Sequence, residues 1–285
     1  MVSIFRARTP SMSHLVPLRA DDVPTLRRPV ATTLTTRALR EHIARHPHLA
    51  WRTPSGTEYV VGGYWRRRDD IGTVEELSAR YEGPALVERL LLAHAAAGVR
   101  LVVLASQEAD LRERFYRQVG FREIDRIVRM EKLDRSVPRD DPPPDVSIRP
   151  YEPADATAVL AVERHAFDWL WWNSAAELER YSRQPGVRLV VAEQGDRVVG
   201  YSGLTIYRRD GHLDRLAVHR DAQGRGVGRW LLADALRTMY AADVRWIGLT
   251  TQTTNHGAQA LYRAFGFVHT AYEIALIGRW LTGGV

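Results

Sequence analysis

A chain of 285 residues with 45% hydrophobic, 26% charged and 9% aromatic residues has the composition of a globular protein with room for two domains, not of a disordered or fibrous one. It has no cysteine and, among 40 basic residues, a single lysine, Lys132; disulfides, thiolate metal sites and cysteine nucleophiles are excluded, and Schiff-base and phosphate-loop lysine chemistries have almost nowhere to sit. A net charge of +6 and an isoelectric point near 9.8 suit a polyanionic ligand such as a nucleotide, a cofactor diphosphate or nucleic acid.

The opening MVSIFRARTP holds too short an apolar segment for a signal peptide, so a cytoplasmic protein is expected. An extended segment with a polar turn, LVPLRADDVPTL from Leu15, leads toward a helix. Strands are expected at 58–65 and 72–79, a helix at 84–97, a strand at 100–104 and a helix at 110–118. The most apolar stretch, residues 90–105, is interrupted by His94, Gly98 and Arg100 and falls short of the roughly 20 residues that cross a bilayer. Residues 134–146, DRSVPRDDPPPDV, are rich in proline and aspartate and read as a linker. Beyond it come a strand at 146–149 and a helix capped by Asp155 that carries Val159, Val162 and Ala166. Strands at 188–193 and 197–207 are joined by the turn 194–196, and a further strand covers 212–218. A glycine-rich loop at 223–228 leads into a helix at 229–240, followed by a strand at 246–251, a helix at 258–265 and a last strand at 268–277.

The two halves are related. ERFYRQVGF ends the first at Phe121 and QALYRAFGF ends near Phe267 in the second, while IRPYEPADATAVL from Ile148 parallels the segment from Leu15. Two copies point to a duplicated domain, with boundaries at 1–133, 134–146 and 147–285. Alternating strands and helices around a strand, glycine loop and helix imply a mixed α/β class.

The segment LAVHRDAQGRGVG, from Leu216, is the most informative. Gly224, Gly226 and Gly228 let the backbone turn sharply and bring N–H groups to an anion at the positive end of a helix, which is a cradle for a diphosphate. The spacing departs from the Rossmann fingerprint, and no lysine follows as in a Walker loop.

QGRGVG in this setting resembles the acetyl-coenzyme A signature of the GNAT superfamily of N-acetyltransferases, with Gln223, Gly226 and Gly228 at the defining positions. TNHGAQALYRAFGF, from Thr254, is similar to the second half of that cofactor region. The resemblance covers residues 146–278 and implies two tandem GNAT-like domains, each a mixed, mostly antiparallel sheet (α+β) flanked by helices. It implies direct transfer of an acetyl group from acetyl-CoA, as co-substrate and without a metal, to a primary amine of a small molecule or peptide. Backbone groups of Leu216, Ala217 and Val218 would line the pantetheine arm, with the Val218 N–H facing the thioester carbonyl. Gln223, Gly224, Arg225, Gly226, Val227 and Gly228 would hold the diphosphate and Asn255 the arm, and Tyr262 would protonate the departing thiolate. A tyrosine on an amphipathic helix is otherwise a core residue.

The acceptor amine needs a base. His212 lies where many members carry glutamate, and Asp214 shares its strand face, which leaves the base open between the two. RHAFDWLWWNS, from Arg164, gathers Trp169, Trp171 and Trp172; the resemblance makes this a lid over the acceptor, with Trp169, Trp172, Glu163 and His165 as contacts, whereas the bare spacing fits core packing equally. In the first half the corresponding loop, RYEGPALVERLL, keeps one glycine, Gly83, adds Glu82, and loses a donor at Pro84. Tyr116 survives there, and this half reads as a degenerate copy. Two alternatives are a non-catalytic acyl-CoA-binding regulatory module and, from the run Arg66, Arg67, Arg68, a nucleic-acid-associated protein. No membrane partner is expected, nucleic acid is disfavoured, and oligomeric state is not addressed.

Overall fold

The computed structural model describes residues 12–29, 32, 34–106, 111–139 and 142–281. MVSIFRARTP, Asp110 and the linker pair Asp140 and Asp141 lie outside them. In chain order the elements are β1 (Val16–Pro17), α1 (Thr36–Arg45), β2 (Ala50–Arg52), β3 (Tyr59–Tyr64), β4 (Ile71–Ser78), α2 (Gly83–Ala96), β5 (Leu101–Ser106), α3 (Leu111–Gln118) and β6 (Arg122–Lys132). They continue with β7 (Val146–Pro150), α4 (Ala156–Ala166), α5 (Ala175–Ser182), β8 (Val187–Gln194), β9 (Arg197–Tyr207), β10 (Asp210–Val218), α6 (Val227–Ala241), β11 (Trp246–Gln252), α7 (His256–Ala264) and β12 (Phe267–Trp280). Among the described residues no helix is long and apolar enough to cross a membrane.

The chain forms two compact units, residues 1–124 with 275–285, and residues 125–274. In the first, β1 to β4 pair antiparallel in succession, β5 joins β4 in parallel, and residues 275–280 of β12 pair antiparallel with β5. In the second, β7 to β10 pair antiparallel in succession, β11 joins β10 in parallel, and residues 127–132 of β6 pair antiparallel with β11. Each unit therefore takes its sixth strand from the other half of the sequence. The halves separated by residues 134–146 are not the contact units, because a strand's partner is set by the open edge it meets and not by its distance along the chain.

Local chemistry explains where the elements start. In α6, Gly226 adopts φ +86° as the residue before the helix, a left-handed conformation that glycine takes without steric cost, so the helix begins at Val227, two residues before the expected start. Its Leu231, Leu232, Leu236 and Met239 are buried, and Gly211 on β10 leaves room for Met239, whose sulfur lies 2.8 Å from where a Cβ would stand. Asn255 Oδ1 accepts the Ala258 N–H at 3.1 Å, which starts α7 at His256. The expected cap on α4 is corrected: Asp155 takes the Glu152 N–H at 2.8 Å and pairs with Arg149, closing a short 3-10 turn while making no side-chain cap on α4 itself.

Candidate active site

In the second unit β10 pairs with β9 as far as Val218, yet its parallel pairing with β11 stops at Leu213 opposite Leu249. The two parallel strands splay apart. The His219 N–H bonds Val199 O at 2.8 Å, so by the alternation of an antiparallel ladder the N–H and C=O of Leu216 and Val218 face the open side. The Val218 carbonyl is already taken, because Gln223 Nε2 donates to it at 2.9 Å. Its N–H remains for a ligand, and Gln223 closes the loop from within.

The glycine loop follows. Gly224 and Gly226 have φ of +73° and +86°, whereas Gly228 does not, and a Cβ there would meet Val218, Leu261 and Leu216 at 3.6–3.9 Å, ordinary contact. Gly228 thus marks where β10, α6 and α7 converge. Among the described residues the N–H groups of residues 224–228 make no hydrogen bond, and they stand at the start of a fifteen-residue helix. Five unpaired donors at a positive dipole end, flanked by Arg220, Arg225 and Arg229, make an anion site.

Asp214 sits at the bulge in β10. Its Oδ2 accepts Tyr181 OH at 2.7 Å and Thr205 Oγ1 at 2.6 Å, and its Oδ1 lies 2.9 Å from His212 Nδ1. A carboxylate only accepts, so Nδ1 carries the proton, and Nε2 is the ring nitrogen turned away from Asp214. Burial, with the Asp214 charge beside it, holds the Tyr181 phenol far above its usual range, so Tyr181 stays a donor. On α7, Tyr262 is 7% exposed and packs on Phe267, ring centroids 5.9 Å apart. Burial pushes its pKa up to about 12, against the opposing pull of the Arg215 charge. Its hydroxyl makes no hydrogen bond among the described residues. Asn255 keeps its amide N–H donors, its oxygen being committed to the helix cap.

Other expected contacts are placed differently. Glu163, 1% exposed, receives Arg215 Nη2 at 2.6 Å, the Asn173 N–H at 2.6 Å and Nδ2 at 2.8 Å, and the Tyr201 hydroxyl. It is the hub that ties α4, the segment before α5 and β10 together, with no face left for a substrate; the expectation of an acceptor contact is corrected here. His165 packs against His219, ring centroids 4.1 Å apart and planes tilted 45°, at the entry to the glycine loop. Trp171 is buried and donates to Asp125 Oδ2 at 2.7 Å, and Trp172 donates to Phe167 O at 2.7 Å. Trp169 and Trp172 remain half-buried. Arg68 is buried and pairs with Asp70 at 2.6 Å, and Arg66 is half-buried, so the three-arginine run is no exposed basic stripe.

Sequence reasoning missed Arg215, Tyr201, Tyr181 and Thr205. It also missed Gln259, whose Nε2 holds Gln252 O and Thr253 O, each at 2.9 Å, and so shapes the turn from β11 into α7. Only Gln259 carried a local signal, four residues after a helix-capping asparagine. Among the described residues no group of three His, Asp or Glu is placed to hold a metal ion.

A model of the acetyltransferase (GNAT) family matches residues 151–267. The chain is 33% identical over 122 residues to an uncharacterized N-acetyltransferase of Methanocaldococcus jannaschii, spanning 42% of this chain and 76% of that protein. It is 30% identical over 178 residues to a mycothiol acetyltransferase of Acidimicrobium ferrooxidans, 56% of each protein, and so spans about half the length of that relative. Among solved structures it is similar in fold to a tandem GNAT protein from the clavulanic acid biosynthesis pathway, with TM-score 0.56 at 17% identity over 95% of this chain and 99% of that one.

Proposed function

Since this chain belongs to the acetyltransferase (GNAT) family, we propose that its second unit transfers the acetyl group of acetyl-CoA directly to a primary amine of a small molecule or peptide. The observation that carries the proposal is the row of unpaired N–H groups at residues 224–228 beside the open edge of β10. The diphosphate takes those N–H groups, and the pantetheine arm runs along Leu216 and Val218 as an added strand. Asn255 donates to the arm through its free amide N–H.

The amine nitrogen attacks the thioester carbon, and the oxygen that becomes negative is met by the Val218 N–H. His212 Nε2 takes the amine proton, directly or through one water. Asp214 positions that ring; with three donors on its two oxygens it is a poor base. The carbon–sulfur bond breaks as Tyr262 gives its proton to the sulfur; a phenol is protonated at neutral pH, and burial raises its pKa further. Trp169 and Trp172 flank the acceptor side.

Calorimetric titration with acetyl-CoA tests this. One site per chain is expected, weakened about 100-fold or more in Gly226→Asp, because the aspartate puts a carboxylate among the loop donors and a side chain at φ +86°. Unchanged binding in that variant removes the assignment, and binding without turnover across an amine panel removes the transfer.

A further inference from the structure

In the first unit, β4 and β5 repeat the splay: their parallel pairing covers Ile71 to Thr73 against Leu101 to Val103 and then stops. A cavity of about 830 Å³ opens between them, with Tyr64, Trp65, Phe115 and Tyr116 among its walls and Val103 and Leu104 on β5. That is the size of a small-molecule site, and aromatic walls over a strand floor that mixes apolar Val74, Val103 and Leu104 with polar Thr73, Glu75 and Glu76 suit an organic ligand carrying both amide and apolar groups. The outer edges of both strands are paired, β4 with β3 and β5 with β12. Val74, Glu75, Leu104 and Ala105, beyond the last β4–β5 pair, line the cavity; successive residues of a strand turn their N–H and C=O to opposite edges, so every second one offers them to the inner side, where they call for donors and acceptors at strand spacing.

The loop that follows β4 differs from the glycine loop in one decisive way. Its N–H groups are occupied by the protein's own carboxylate: Glu58, buried just before β3, receives the Arg80 N–H at 3.0 Å, the Tyr81 N–H at 3.1 Å and the Glu82 N–H at 2.8 Å. Glu58 fills the place that a diphosphate would need, and Pro84, two positions beyond Glu82, offers no N–H. A diphosphate entering here would displace a buried carboxylate from three donors and face Glu82 as well.

We propose that this cavity is a second ligand site, for a phosphate-free chain of secondary amides with an aromatic or apolar side group, and that Glu58 excludes coenzyme A from it. The ligand lies between β4 and β5 against the aromatic walls. The second unit's site and this one are then independent, one reading a diphosphate and the other refusing it.

The test uses the full chain and a capped phenylalanyl-alanine amide as probe, titrated with and without saturating coenzyme A. Expected is saturable binding that coenzyme A leaves unchanged and that Ala105→Trp, at an exposed rim position, weakens about tenfold or more by filling the cavity. No saturable binding, displacement by coenzyme A, or full binding in Ala105→Trp overturns the site. For Glu58, acetyl-CoA stoichiometry is read by calorimetry: one site per chain in the parent, and a second, weaker site in Glu58→Ala. Where that variant does not fold, Glu58→Gln, which removes the charge but keeps an acceptor oxygen, is read with inorganic pyrophosphate against the parent. Unchanged stoichiometry or pyrophosphate binding overturns the excluding role, and neither readout depends on turnover in the second unit.

Discussion

Replacing Tyr262 by phenylalanine removes one oxygen and little else. The hydroxyl has no hydrogen-bond partner among the described residues, and the ring's packing on Phe267 is retained. No bond is lost on folding, so stability should stay within about 0.5 kcal/mol of the parent, a shift in Tm of about 1–2 °C for a unit of this size. The proton it supplies to the departing sulfur is worth far more: loss of a positioned general acid lowers kcat by roughly 10² to 10⁴, or about 2.7 to 5.5 kcal/mol of barrier, with KM for acetyl-CoA little changed. Steady-state kinetics with acetyl-CoA and with an acetyl thioester of a more acidic thiol provide the assay. A good leaving group needs less protonation, so the deficit should shrink with the second donor. A fall in kcat below about threefold, or a deficit equal for both donors, would refute the acid role and leave Tyr262 as a core residue.

The other expectations are briefer. His212→Gln should lower kcat by about 10²-fold or more while leaving acetyl-CoA affinity by calorimetry unchanged; equal kcat would move the base elsewhere. Glu163→Ala leaves Arg215 buried without its partner, a loss of about 3–5 kcal/mol that thermal unfolding should register as a drop of roughly 6–20 °C; a drop under a few degrees would mean the cluster is not structural. His94 is 0% exposed, its Nδ1 has no partner, and burial lowers its pKa to about 4. The unfolded chain, with an ordinary pKa near 6.5, takes up the proton first, so the contribution is whole above about pH 6.5 and declines by about 1.4 kcal/mol per unit as pH falls toward 4. Denaturant melts of the parent and His94→Leu across that range should show a shallower acid slope in the variant.

What the sequence made legible was local. The loop around Gly226 and the helix behind Asn255 follow from conformational demands of single residues and their immediate neighbours, and the β8–β9 hairpin was visible through Gly195, which has φ +58°. The hidden parts share a different origin. Glu163 and Arg215 are 52 positions apart, and neither side chain announces that burial will force the two together. Glu58 precedes a strand unremarkably; only the fold brings it under the amides of residues 80–82. The tryptophan cluster looked like one feature, whereas Trp171 and Trp172 turn their indole N–H groups to different acceptors. The β6 and β12 exchange left no trace in periodicity, since a strand's apolar pattern specifies a face and not a neighbour.

That exchange sets a clock on synthesis. The sheet of the first unit is complete only when residues 275–280 reach β5, so its inner strands are made long before their last partner exists. At roughly 5 to 20 residues per second, the ribosome needs roughly 10 to 35 s to go from β5 to the end of β12. Throughout that interval β5 presents an open edge, the kind of surface that recruits wrong partners. A ribosome stalled before β12 therefore leaves the first unit's sheet without its sixth strand.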